Sequence, residues 1–175
     1  MAEGDIRKSD GDIYYASEYN KQPFQLGAGT LTVQTTTTSY GTDNADISIA
    51  ASDLQATDMI IVKLACQNAG NQALDIAIQA QDVTAAGTIV AFDDVNSGNV
   101  MCSESTIWQD TESNDILRGT MVAVETTVQP FTGNQDTNDA NVITTAWTLR
   151  ITGAFDGGVS ASDANVRWIA YVLRG

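Results

Sequence analysis

Beyond residue 30, apolar and polar residues alternate at period two over most of the chain, and turn-forming clusters break the alternation roughly every 8 to 15 residues. The alternation predicts a strand over residues 30–40, where Leu31 and Val33 alternate with Thr and Gln and a threonine run follows. A turn is expected at 41–44 and a short strand at 46–50, with Ile47 and Ile49 inward. Residues 59–67 are apolar on both faces, which marks a central strand. Asn68-Ala69-Gly70-Asn71 reads as a hairpin turn. The chain then returns over 73–81, with Leu74, Ile76, Ile78 and Ala80 on one face. Further strands are expected at 87–92, at 116–129 up to Pro130, at 142–153 and at 166–173. The last of these is apolar on both faces, so it belongs inside a sheet or against a neighbouring subunit. Residues 100–108 carry no clear pattern. Helical periodicity is nearly absent, with room for a short helix only at 52–55 or 110–117.

Eight to ten strands and few other elements predict an all-β fold, an antiparallel β-sandwich of jelly-roll type. Before it the pattern changes. Residues 1–27 read as an extended N-terminal arm, with Pro23 ending regular structure and Gly27-Ala28-Gly29 as a linker or turn. Residues 28–175 form the sandwich domain, about the size of one domain with a substantial core. Within the arm, Asp10-Gly11-Asp12 is a turn signal. Ile13, Tyr14 and Tyr15 follow at once, then Tyr19 and Asn20. Three tyrosines in six residues place large amphipathic side chains on a segment outside the core. They pack back on their own sandwich, or insert between subunits or into a larger assembly. Addition of the arm as a strand to a partner's sheet edge is one such mode, with Ile13 and Tyr15 alternating as anchors.

The run Asp10-Gly11-Asp12-Ile13 … Ala16 … Tyr19-Asn20 resembles a short Gly-Asp-apolar … Ala … Asn segment near the N-terminus of many tail-fibre and virion-appendage proteins of bacterial and archaeal viruses. It covers about a dozen residues, and Glu18 stands where that family usually has Asp. The resemblance implies a segment at or near the junction with the particle, followed by a trimeric β-rich domain. On this reading the chain is an outward-facing tail or capsid appendage that associates with itself, most simply as a homotrimer, and with other virion proteins. It would be made in the host cytoplasm and displayed on the virion surface. The resemblance brings no catalytic residues.

The net charge of −14, from 8 basic and 22 acidic residues, excludes the counterion-releasing basic patch that nucleic-acid binding needs. It equally opposes docking on an anionic membrane. No run of about 18 apolar residues that would span a bilayer occurs, so no membrane insertion is expected. The first residues carry Glu3, Asp5, Arg7 and Lys8 in place of an apolar signal segment. Charged residues are only 17% of the chain, so the surface must be mostly Thr, Ser, Asn, Gln and Gly.

Histidine is absent, which removes the commonest general base and the triads built on it. Cys66 and Cys102 read as two buried thiols, with a disulfide as the alternative. Paired carboxylates of glycosidase type are available at Asp93, Asp94, Asp110, Glu112, Asp115, Asp136 and Asp139, but they fall in polar loops where acids are ordinarily solvated. No catalytic residues are assigned, and the chain is read as not an enzyme. Asn134, Asp136 and Asn138 alternate, with Asp139 next, and begin like a Ca2+ loop. Asp139 stands where an EF-hand has Gly, and Thr145 where it has Glu, so plain loop chemistry is the competing reading. Trp147 and Trp168 sit among aliphatic residues and read as core. Trp108, beside a polar loop, is the candidate contact to a host-surface glycan. A glycan-binding, adhesive β-sandwich is therefore the alternative to a virion appendage.

Overall fold

The computed structural model describes residues 6–7, 13–14, 23–34, 36–50, 53–81, 86–110, 116–125, 137–138, 146–157 and 163–175. Among these residues the strands are β1 (Ile6–Arg7), β2 (Ile13–Tyr14), β3 (Phe24–Val33), β4 (Asp43–Ile49), β5 (Met59–Gln67), β6 (Leu74–Gln81), β7 (Ala86–Val95), β8 (Val100–Asp110), β9 (Ile116–Val124), β10 (Thr137–Asn138), β11 (Trp147–Phe155) and β12 (Ala164–Leu173). No helix occurs among the described residues, so the short helix allowed at 52–55 or 110–117 is not seen in the described parts of those ranges. Strands β1 and β2 pair with each other in the arm. The rest form two antiparallel sheets, one ordered β10-β9-β8-β5-β12-β3 and the other β4-β11-β6-β7.

That order is a jelly roll. Of the eight strands β3 to β8 with β11 and β12, each consecutive pair except β6–β7 crosses from one sheet to the other, and the first and last lie side by side, as two Greek keys require. The hairpin mate β9 and the short β10 widen one sheet to six strands. Between the sheets lies one core, with Val33, Ile49, Val62, Ile76, Ile78, Met101, Met121, Leu149, Ile151 and Val166 almost wholly buried. The period of two explains this directly, because alternate residues of each strand face the opposite sheet. Gly119 of β9 faces inward where a Cβ would come within 2.8 Å of Ile89 and 2.9 Å of Val90 on β7, so only glycine fits.

Several expectations are corrected. Gly27-Ala28-Gly29 is not a linker but the middle of β3, paired with β12 from Gly27↔Ala170 to Gly29↔Trp168. The sandwich therefore begins at Phe24 and takes in residues 24–27, which the pattern had placed in the arm. The glycines serve the Trp168 indole, which packs 3.1 Å from where their Cβ atoms would stand. The first core strand ends at Val33, short of the threonine run. Residues 100–108, without a clear pattern, belong to the eleven-residue strand β8. Asn68-Ala69-Gly70-Asn71 is no hairpin, because β5 and β6 lie in different sheets. It is a corner held by Asn68, whose buried Nδ2 donates to the carbonyls of Gln72 (2.9 Å) and Val95 (2.6 Å) and whose Oδ1 accepts from the Gly70 N–H (2.9 Å). Strands β5 and β12 occupy interior positions in their sheet, as their two apolar faces require.

Candidate functional site

The outer face of the six-stranded sheet collects the residues left over from the core. Strand register lines them up in rows. One row runs Ala28, Ile169, Lys63, Glu104, Val122 across β3, β12, β5, β8 and β9. The next runs Thr30, Arg167, Ala65, Cys102, Val124, and at the far end lie Leu173, Met59, Trp108 and Arg118. Lys63 Nζ and Glu104 Oε2 pair at 2.9 Å, and that carboxylate holds the ammonium above its ordinary pKa. Around them lies an open hollow of about 540 Å³ lined by Cys102, Thr106, Thr120, Val122 and Val124. Met59, Val100, Val122, Val124 and Ile169 are the exposed large apolar side chains among the described residues, 37% to 54% exposed, and all five stand on this face. An isolated exposed apolar residue means little, but five sharing one sheet face mark a surface.

A second cluster lies on the other sheet. A register shift in the β6–β7 ladder, between Leu74 and Ile76, displaces Asp93 and Asp94 on β7. Asp94 takes a left-handed conformation, φ 68°, which Asp tolerates better than most residues. Its N–H donates to Asp75 Oδ1 at 2.9 Å. Asp156, just beyond β11, joins them, and single carboxylate oxygens of Asp75, Asp94 and Asp156 lie within 4.8 Å of one another. Burial pushes Asp75 up to about 6; the Asp94 N–H opposes the shift, while the Asp156, Asp93 and Asp94 carboxylates add to it. Tyr40 is raised above the ordinary phenol value, chiefly by burial and then by Asp75, Asp93 and Asp156. Three such oxygens suit a hard divalent cation chemically. Sequence spacing singled out Asp93 and Asp94 but could not find this set, because its members come from three elements.

Most of the residues chosen from sequence fall elsewhere. Asp10, Gly11, Asp12, Tyr15, Tyr19 and Asn20 lie outside the described residues, while Ile13 and Tyr14 form β2. Asn134, Asp136 and Asp139 also lie outside them, and Asn138 ends β10. Asp110 ends β8, and Glu112 and Asp115 are outside. Trp108 is half-buried on the outer row of β8, and the hollow it lines with Leu54, Gln55 and Asp58 holds about 10 Å³, room for no sugar ring. Trp147 is buried and Trp168 packs against the core, as their neighbours implied. Cys66 is buried, but Cys102 is exposed on the outer face and both thiols are free, which corrects the expectation of two buried thiols.

Neither a protein-family model nor a curated protein sequence matches the chain. Among solved structures, an alginate lyase, Aly36B, in complex with an alginate trisaccharide is 12% identical, covers 97% of this chain and 96% of its own, and gives a TM-score of 0.38. The CBM2 module of an evolved Dit protein from Lactobacillus casei BL23 phage J-1 is 7% identical, covers 83% of this chain and 76% of its own, with a TM-score of 0.36. The structure of infectious bursal disease virus, Gx strain, is 12% identical, with 86% of this chain and 31% of that one covered and a TM-score of 0.31. At such TM-scores the likeness carries no functional reading, and the fold assignment rests on the chain's own strand order.

Proposed function

We propose that this chain is a structural subunit of a virus particle, an outward-facing tail or capsid appendage. Its N-terminal arm joins it to the particle and to sister copies, most simply as a homotrimer, and its acidic jelly roll faces solvent. The observation that carries the reading is the outer face of the six-stranded sheet, where five large apolar side chains stand exposed together. A protein that works alone in water gains nothing from such a face; one that works in an assembly covers it. The aromatic arm and its resemblance to virion-appendage segments support the same reading, as does a net charge of −14, which suits a surface away from nucleic acid. The reading assigns the chain no reaction. Light scattering on the full chain and on a chain beginning at Pro23 tests it. A closed oligomer that becomes a folded monomer without the arm is the expected result. A full chain that stays monomeric at high concentration, with and without other particle proteins, sinks it.

A second reading, a glycan-binding module, is favoured by one observation: Trp108 stands half-buried on the outer row of β8, in register with Met59 and Arg118, and an aromatic on a sheet's outer face is the residue type that stacks on a sugar. Binding on a glycan array that is lost with Trp108→Ala supports it, and no binding by either protein rejects it.

A further inference from the structure

We propose that the outer face of the four-stranded sheet binds a neutral saccharide, in an open hollow formed where β4, β11 and β6 lie side by side. The inference rests on the glycan-binding reading for its class of ligand, and it places the sugar on the sheet opposite Trp108. The hollow has a volume of about 630 Å³, inside the range of small-ligand sites. Strand register builds it. Ser48, Thr148 and Gln81 form one row across β4, β11 and β6, and Asp46, Arg150 and Gln79 form the next. Leu149 and Ile151 point into the core, so Thr148 and Arg150 point out. Asp53, just beyond β4, adds a further carboxylate to the lining.

The protein holds these groups in place by itself. Arg150 donates from Nε and Nη2 to Asp46 Oδ1 and Oδ2, both at 2.7 Å, a bidentate pair of fixed geometry. In the same row Gln79 Nε2 donates to Thr88 Oγ1 of β7 at 3.2 Å. Asp53 Oδ2 accepts from the Ala50 N–H at 2.8 Å. A surface already ordered in this way costs a ligand little to bind. Two lining residues also carry buried atoms without a hydrogen-bond partner, Oε1 of Gln81 and Nε1 of Trp147, which is 5% exposed. A hydroxyl can donate to the first and accept from the second.

The lining selects the class of ligand. Arg150 is the one cation among the described lining residues, and Asp46 already neutralises it with Asp53 close by, so an anion gains nothing here. A bare cation finds Asp46 matched in the same way. A mainly apolar ligand has no counterpart on this face, because the exposed large apolar side chains among the described residues all stand on the other sheet. The hydroxyls of Ser48 and Thr148 both donate and accept, while the carboxylates of Asp46 and Asp53 accept on their remaining lone pairs. Donors and acceptors at such close intervals match the hydroxyls of an uncharged sugar.

The test uses the full chain. An array of neutral and uronate-containing oligosaccharides finds the ligand, and its titration is followed by the indole N–H resonances of the three tryptophans, assigned with Trp108→Phe and Trp147→Phe. A neutral oligosaccharide is expected to bind and to shift the Trp147 resonance but not that of Trp108. Ser48→Lys, at an exposed position of an edge strand, puts a long side chain into the hollow and should weaken binding at least about tenfold, with an unchanged urea midpoint. Trp108→Ala should leave binding as it is. Binding that survives Ser48→Lys overturns this site, and its loss with Trp108→Ala would leave the glycan-binding reading standing. A preference for uronate oligosaccharides overturns the neutral class. No binding to any glycan on the array overturns both the site and that reading.

Discussion

Cys66 and Cys102 stand one residue out of phase on paired strands. The register partner of Cys102 is Ala65, and that of Cys66 is Met101. Successive side chains of a strand point to opposite faces, so the Cys66 thiol enters the core and the Cys102 thiol leaves it. Burial, with a smaller contribution from Cys102, pushes the Cys66 thiol up to about 12. The thiolate is the reactive species, so native protein should take up one equivalent of a thiol reagent quickly, at Cys102, and the second at least roughly tenfold more slowly. Under mild oxidation no bridge should join the two. Mass spectrometry of labelled and oxidised protein checks both statements; an intrachain disulfide would refute the register.

Asp75 gives stability an unusual dependence on pH. Its folded pKa, about 6, lies above the ordinary 3.8, so the folded state holds the proton more tightly than the unfolded chain. The resulting stabilisation is fully present below the unfolded value and is lost as pH rises through about 6. Its size is on the order of 1 kcal/mol once the partial exposure of the group is allowed for. Asp75→Asn keeps an oxygen to accept the Asp94 N–H and removes the charge, so it should raise stability at pH 8 and leave it little changed at pH 4. Urea midpoints across this range decide it; parallel pH profiles for the two proteins would count against the half-buried Asp75 carboxyl as the cause.

Arg174 and Asp58 form the most buried ion pair among the described residues. The Asp58 side chain is 1% exposed; its Oδ2 accepts from Arg174 and from the Gln55 N–H (2.8 Å), and its Oδ1 has no partner. The guanidinium also lies 4.6 Å over the Phe24 ring, and so ties the end of the chain to the start of β3. Arg174→Met strands a buried charge and should cost about 3 kcal/mol. Adding Asp58→Asn should recover most of that loss. If denaturant melts show the single and double variants equally unstable, the charge is not the reason.

At the sheet-to-sheet corner, Asn68→Ala removes three side-chain hydrogen bonds, to the Gln72 and Val95 carbonyls and from the Gly70 N–H, at a buried residue. A loss of about 3 kcal/mol is expected. Asn68→Asp keeps the acceptor for Gly70 but sets a carboxylate against the Gln72 and Val95 carbonyls, and should be no better. A midpoint within experimental error of wild type for either variant would show that water replaces the amide.

The alternation of apolar residues determined the class of fold, most strands and the faces they bury. Ile47 and Ile49, Leu74 to Ala80, and Trp147 to Ile151 all pack where their period places them, because which face a strand residue takes is a local property. The two-sided hydrophobicity of β5 and β12 announced their interior positions for the same reason. Strand partners were not legible. The corner at Asn68 has the composition of a hairpin turn, and only its buried contact with Val95, 27 residues on, sends the chain to the other sheet. The glycines of β3 look like a linker until the Trp168 indole is seen to need their missing side chains. The Asp75, Asp94 and Asp156 cluster, and the apolar face around Val122, likewise assemble residues that no local window contains. Local sequence sets what each segment can be, whereas pairing depends on contacts between distant segments whose free energy exists only once the whole core has closed.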